Sequence, residues 1–155
     1  LFIRALDGEY YRDPFQNIKN QFTLGGGVGY KVIDVSDFAW EVQFGPAYQY
    51  TEFSQVEEGT SNSSQGAAAV FSTLVNYDIT SDLEFTLRYQ GVLTQKESGL
   101  FTQHLVSSLD YELTKIFDVF FQLQFDRIEK PREKSDGVAP EKNDLILSFG
   151  LGVDL

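Results

Sequence analysis

Cysteine and long hydrophobic runs are both missing from this 155-residue sequence. Without cysteine the chain has no disulfide framework and no thiolate metal site. No segment approaches the roughly 18 consecutive apolar residues that a transmembrane helix needs. If the chain crosses a membrane, it must therefore do so as a closed β-barrel, because that is the only other fold that pairs its backbone polar groups internally.

Basic residues are also scarce, with 12 Lys and Arg against 23 Asp and Glu and a net charge of -11. A nucleic-acid backbone would be repelled unless the basic residues were gathered on one face. The longest basic stretch, from Lys130 to Lys134, is interleaved with glutamates, which is typical of a solvated loop. The composition therefore argues against a nucleic-acid partner.

Aromatic residues and glycine are abundant, with 14 Phe, 8 Tyr and 13 Gly. From Phe38 to Tyr50 every even position is Phe, Trp, Val, Pro or Tyr, and every odd position is Ala, Glu, Gln or Gly. Only a β-strand places every second residue on one face. Similar alternation along the chain predicts an all-β single domain over residues 1–155, with strands at 1–12, 21–32, 38–50, 67–79, 83–93, 104–113, 117–126 and 144–155.

The predicted connections alternate in length. Residues 34–37, 80–82 and 114–115 are short, whereas 13–19, 52–65, 95–99 and 128–143 are longer and more polar. Outer-membrane barrels have short periplasmic turns and long external loops. The alternation therefore predicts an antiparallel up-and-down transmembrane β-barrel whose C-terminus lies on the periplasmic side.

Alternation alone does not tell which face points outward, so the polar face must decide. Its residues are largely Gly, Ala, Ser, Thr and Gln, and five of the seven Lys fall in predicted loops. Such residues fit a narrow polar lumen better than a water-exposed surface. Two arginines are exceptions: Arg127 falls on the lipid-facing side, where only a position near the rim is tolerable, and Arg4 shares a face with Phe2 and Leu6, which leaves the first strand poorly registered.

Four segments, at 11–15, 24–30, 44–48 and 143–152, resemble a bacterial family of unknown function often labelled salt-induced outer-membrane proteins. The resemblance covers the whole chain. Family members carry further strands upstream of the first of these segments. The resemblance thus implies that this chain is the C-terminal part of a roughly twelve-stranded barrel in the outer membrane of a Gram-negative bacterium.

The final segment, from Ser148 to Leu155, looks like the C-terminal insertion signal of outer-membrane barrels. It has a polar residue, a glycine two positions later and apolar residues at alternate positions, but it ends in Leu155 where most such proteins have an aromatic residue. The resemblance implies two partners for the chain, outer-membrane lipid and the barrel-assembly machinery that reads this strand.

A glycine run, Gly25 to Gly29 interrupted by Val28, has the look of a phosphate-binding loop. Such loops lie between a strand and a helix and end in Lys followed by Ser or Thr, which this run lacks. Within a strand, glycine lets a barrel wall bend or lets a bulky side chain approach the backbone. We therefore predict a structural role for the run.

A group of charged residues is predicted on the lumen face. Arg88 is expected to pair with acids there, because a buried guanidinium needs carboxylate partners. His104 is the single histidine, and Ser108 lies four residues away, about 13 Å along a strand, which is too far for a direct catalytic contact. The predicted lumen charge cluster comprises Glu41, Glu84, Arg88, His104, Asp110 and Glu112.

These features favour a non-enzymatic outer-membrane barrel that is structural or weakly conducting. Its acidic lumen would favour cations, and no catalytic residue, cofactor or metal ion is predicted. Two alternatives stay open: an outer-membrane lipid hydrolase that uses His104, and a soluble ligand-binding barrel in which the apolar face points inward.

Overall fold

The computed structural model describes residues 1–56, 58–59, 61–95, 99–131 and 141–153, with the backbone alone at 3–7. Lys96, the Arg132 to Lys134 part of the basic stretch, and Asp154 and Leu155 of the predicted insertion signal lie outside these residues. The described part of the chain contains no helix long and apolar enough to span a membrane. Its strands are β1 (Phe2–Asp13), β2 (Ile18–Asp34), β3 (Phe38–Phe53), β4 (Ser63–Thr80), β5 (Leu83–Leu93), β6 (Phe101–Glu112), β7 (Phe117–Ile128) and β8 (Asn143–Val153).

The eight strands form one antiparallel sheet in the order β1 to β8, so that each strand pairs with the next along the chain. The sheet curls into a half-barrel with β1 and β8 at its two ends. The all-β, up-and-down prediction with eight strands is therefore confirmed. We call the edge with the connections after β1, β3, β5 and β7 the loop end, and the opposite edge the turn end.

The first connection is shorter than predicted. Residues 13–19 were expected to form a longer loop, but β2 begins at Ile18 and pairs with Phe53. The carboxylate of Asp13 accepts hydrogen bonds from the backbone N–H of Phe15 (2.8 Å) and Gln16 (3.2 Å), and Asn17 has a φ of 66°. An Asx turn followed by a left-handed residue reverses the chain within a few residues, and the strands extend accordingly.

A β-bulge explains the irregular pattern of β1. Phe2 pairs with Gly29 and Arg4 with Gly27, but Asp7 pairs with Gly25, so β1 has one extra residue between Arg4 and Asp7. An extra residue moves every later side chain to the other face. The two halves of β1 therefore follow opposite phases of the alternation, which is why no single alternating pattern fits this strand.

The predicted structural role of the glycine run fits a close contact between β2 and β3. A Cβ atom on Gly45 would lie 2.1 Å from the carbonyl oxygen of Gly26, and one on Gly27 would lie 2.4 Å from that of Phe44. Only glycine permits such an approach of two backbones. The run lies inside β2, between strand residues on both sides, and not at a strand-to-helix junction.

The two faces of the sheet are sharply different. On the convex outer face, large apolar side chains are exposed, as shown by Phe44 (60%) and Phe149 (72%). On the concave lumen face, polar side chains are buried, and Gln49 and Thr51 are each 1% exposed. This is the opposite of a soluble barrel, whose apolar residues fill the interior.

Candidate functional site

The register of the strands arranges the lumen face in rows, each containing one residue from every strand it crosses. Neighbouring rows differ in chemistry. From the turn end to the loop end, β5 contributes Glu84, Thr86, Arg88, Gln90 and Val92. The lumen side of β5 therefore changes from acidic at the turn end, through polar and basic residues, to apolar at the loop end.

Six carboxylates surround a cavity of about 380 Å³ at the turn end. Asp78, Glu84 and Asp110 are paired across three strands, and Glu112 is paired with Asp118. None of the six forms an ion pair with a Lys or Arg in the described part of the chain. No three of them converge closely enough for a metal site there either. We call this group the acidic mouth: Asp78, Asp82, Glu84, Asp110, Glu112 and Asp118.

The acidic mouth contains three members of the predicted charge cluster, Glu84, Asp110 and Glu112. Glu41 lies elsewhere, on β3, where its carboxylate is 4.0 Å from the ammonium of Lys31. All six residues of the predicted charge cluster lie on the lumen face, but they occupy different levels of it.

Arg88 does not form the predicted ion pairs. Its strand neighbours are Leu74 and Val106, and no carboxylate of the described residues lies within 4.0 Å of its guanidinium. Two distances explain this: Glu84 is four residues away on the same strand, about 13 Å along it. Glu41 shares the row of Arg88 but is separated from it by Leu74 and lies near Lys31. The expected lumen strut is therefore wrong for the described part of the chain.

His104 lies two rows further toward the loop end from Ser108, beside Asp126. Its Nδ1 is hydrogen-bonded to Oδ1 of Asp126, which is 4% exposed, and Gln124 Nε2 donates to the other oxygen at 2.8 Å. Asp126 is not one of the residues of the predicted charge cluster. A buried carboxylate that holds one ring nitrogen sets the orientation of the imidazole.

Residues of β1 reach across the lumen to this site, although the sequence did not single them out. The ring of Tyr11 meets His104 edge-on with centroids 6.5 Å apart, and Tyr11 Oη donates to Asp13 (3.1 Å) and lies 3.2 Å from Gln16 Oε1. Gln90 on β5 donates a hydrogen bond to Glu9. The bulge in β1 concealed Glu9 and Tyr11, because it breaks the alternation that would place them on the lumen face.

The cavity around His104 is small, about 30 Å³. Space of this size holds about two water molecules. Among the described residues that line it, the hydroxyl groups belong to Tyr11, Thr23 and Thr102, and there is no serine. A histidine and an orienting acid are present, but no serine nucleophile stands beside them as a hydrolase of this type would need.

Side chains fill the loop end of the lumen. Gln16 and Asn17 are almost completely buried, at 1% and 0% exposure. Asn17 forms two hydrogen bonds with the backbone of Gln55 (2.8 and 2.9 Å). Gln16 Nε2 donates a hydrogen bond to the carbonyl oxygen of Lys142 (3.4 Å). Four buried apolar residues accompany them at this end: Ile18, Phe53, Val92 and Ile128. The lumen is thus wide at the turn end and occupied at the loop end.

One comparison with known proteins gives a match. A family model described as "Protein of unknown function, DUF481" matches residues 3–155. No curated protein and no solved structure matches the chain.

Proposed function

The chain belongs to the DUF481 family of proteins of unknown function, and we propose that it forms the wall of a non-enzymatic β-barrel in the bacterial outer membrane. The barrel is structural or weakly conducting, and its acidic mouth gives any conduction a preference for cations. The observation that carries the proposal is the apolar outer face. The resemblance to salt-induced outer-membrane proteins agrees with this location.

The outer face has the composition and height of a lipid-facing band. In β3 to β8, all within the described residues, outward positions carry no charged residue except Glu52 and Arg127, which both lie near the loop end. On β2 the outward apolar positions run from Phe22 to Ile33, which pairs with Trp40 beyond a one-residue register shift. That distance is about 34 Å along a strand and about 24–28 Å along the membrane normal at the usual tilt, which matches a hydrocarbon band of about 25 Å.

Two polar side chains within the band, Trp40 and Thr73, are hydrogen-bonded locally. Thr73 lies on the outer face of β4, where its Oγ1 donates to the carbonyl oxygen of Glu41 (2.9 Å) and accepts from Trp40 Nε1 (2.8 Å). An unsatisfied polar group costs several kcal/mol in hydrocarbon, where no water can replace the lost partner. Tyrosine and tryptophan side chains lie toward the two edges of the band, as in the aromatic girdles of outer-membrane barrels. They are Tyr10, Tyr30, Trp40, Tyr48, Tyr77, Tyr89 and Tyr111.

The end strands agree with a membrane-embedded barrel. Inside a membrane the free edges of β1 and β8 need partners, and the twelve-stranded barrel implied by the resemblance would supply them.

We further propose that β8 is the strand that the barrel-assembly machinery reads, since its outward apolar residues alternate from Leu145 to Val153. Phe149→Asn should then lower the amount of folded protein in the outer membrane, and an unchanged amount would argue against this role.

The membrane location is tested by partition and gel mobility. The full-length protein should enter the detergent phase and should migrate differently on gels before and after heating, because a closed barrel resists unfolding by detergent. A protein that stays soluble without detergent and shows no heat-dependent mobility would overturn the proposal.

The cation preference is tested separately in planar bilayers under a salt gradient. Conductance should be small because the loop end is filled, and the reversal potential should indicate cations. The double variant Asp110→Asn and Glu112→Gln should lower this selectivity. The control Asp37→Asn removes a carboxylate from a turn-end connection outside the acidic mouth and should leave it unchanged. An equal effect of both variants, or anion selectivity in the wild type, would contradict the role of the acidic mouth.

A further inference from the structure

Two arginines lie in strands β3 to β8, all of which the structure describes, and they lie on opposite faces. Arg88 lies on the lumen face. Arg127 lies on the outer face, close to the loop end of β7, and its side chain is exposed. A cation at an outward position is costly in the middle of a bilayer but favourable near its surface, where it can reach headgroups.

The guanidinium of Arg127 has few partners. Its Nη1 lies 3.3 Å from Oδ1 of Asn143, and no carboxylate of the described residues lies within 4.0 Å of it. An arginine carries five N–H donors in a planar fork, so most of them remain available. The fork geometry matches the oxygens of a phosphate better than any other side chain does.

Two amide side chains flank Arg127 on the neighbouring strands. Gln103 and Asn143 are its strand partners, so the three residues form a row on the outer face, which we call the polar row. Gln103 Oε1 accepts a hydrogen bond from Tyr89 Oη (3.2 Å). Because that contact occupies its oxygen, the amide nitrogen is the group of Gln103 that remains to donate to an anion.

An apolar row lies directly next to the polar row, toward the middle of the band. Leu105, Phe125 and Leu145 are paired across β6, β7 and β8 at outward positions. Leu145 is 57% exposed. The outer face therefore places a cation and amide donors immediately above a surface suited to an acyl chain, which is the chemistry of a phospholipid from headgroup to tail.

We propose that Arg127, with Gln103 and Asn143, binds the phosphate of a membrane-lipid headgroup whose acyl chain packs on the apolar row. This inference rests on the proposed membrane location. It goes beyond that location because it assigns a specific lipid contact to one position on the barrel.

The test uses the full-length protein in detergent micelles and measures retained lipid by native mass spectrometry. The lipid is dioleoylphosphatidylglycerol, and the chain-matched control is dioleoylglycerol, which lacks the phosphate. Arg127→Gln should weaken retention of the phospholipid about tenfold, as expected when charged hydrogen bonds are lost. Arg127→Lys should weaken it less, and the matched control Arg88→Gln, on the lumen face, should leave it unchanged.

Several results would overturn the proposal. One is that Arg127→Gln retains as much dioleoylphosphatidylglycerol as the wild type, and another is that Arg88→Gln loses as much of it as Arg127→Gln. A third is that the wild type retains dioleoylglycerol as well as the phospholipid, which would mean that the apolar row alone holds the lipid. Displacement of the lipid by inorganic phosphate alone would show a site for free phosphate and would also overturn it. Each variant is first checked for heat-modifiable mobility, so that a barrel which folds but loses no lipid refutes only this inference, whereas failure to enter micelles refutes the membrane location.

Discussion

Placing an arginine on each face of β7 at the same depth tests which face of the membrane-inserted protein meets the hydrocarbon. Leu123 points outward, with Ser107 and Leu147 as strand partners, and it lies four residues from Arg127. That is about 13 Å along the strand and about 10 Å along the membrane normal. Leu123 therefore lies near the middle of a band about 25 Å tall whose upper border is marked by Arg127.

The size of the expected effect follows from this depth. An arginine at the bilayer midplane of a barrel costs about 2–4 kcal/mol, so Leu123→Arg should lower the folding equilibrium constant roughly 30- to 700-fold. The matched variant Gln122→Arg places the same charge on the lumen face, between Ser108 and Ser148. It lies diagonally opposite Asp110, within reach of a long side chain, and should change stability by less than about 1 kcal/mol.

The measurement is equilibrium unfolding of the full-length protein in lipid vesicles by guanidinium chloride. Trp40 is the single tryptophan of this chain and lies on the outer face, so its fluorescence reports contact with hydrocarbon. Equal stabilities of the two variants would refute the assignment of the faces. A larger loss in Gln122→Arg than in Leu123→Arg would place the polar face against the hydrocarbon and would refute the assignment as well.

Three further predictions concern the fold and the site. Gly45→Ala should lower the free energy of unfolding by about 1–3 kcal/mol through overpacking, because its Cβ would lie 2.1 Å from the carbonyl oxygen of Gly26. The control Gly8→Ala should leave this free energy unchanged, because the nearest atom to its Cβ is 3.8 Å away. Equal losses of stability in the two variants on chemical unfolding would contradict the close contact of β2 and β3. Asn17→Ala should lower the free energy of unfolding by about 2–4 kcal/mol, because the buried side chain loses its two hydrogen bonds to Gln55 and alanine is placed at a φ of 66°. A variant as stable as the wild type would contradict the role of Asn17 in the turn. His104→Ala should leave any lipid turnover unchanged, since no serine lines its cavity in the described residues; lost turnover would favour the hydrolase alternative.

Most of the fold could be predicted from the sequence because a strand has a period of two. The alternation from Phe38 to Tyr50 depends only on neighbouring residues, and the same holds for β4 to β8. The bulge between Arg4 and Asp7 could not be found this way, because an extra residue is defined only by the strand it pairs with. The Asx turn after Asp13 was missed because its polar residues resemble those of a longer loop.

The candidate site was predicted less well, for a related reason. The alternation of a strand identifies the face on which a residue lies but not its height between the turn end and the loop end. Glu84, Arg88 and His104 were therefore expected to form one cluster. The register places them at three levels, and this leaves Arg88 without the expected partners while bringing Glu84 next to Asp78 and Asp110. Contacts such as Tyr11 with His104 depend in addition on the curl of the sheet, which brings β1 over β6.

The amino-acid sequence by itself thus determined which residues lie in strands and which two sets of side chains lie on opposite faces, because both follow from local geometry. The composition of the polar set also predicted that it faces the lumen, whereas tertiary structure decided which lumen residues lie at the same level and which meet there. Those outcomes depend on register and curvature, which arise from pairing between strands far apart in the chain. For the same reason, the acidic mouth and the polar row around Arg127 emerge only in the folded sheet.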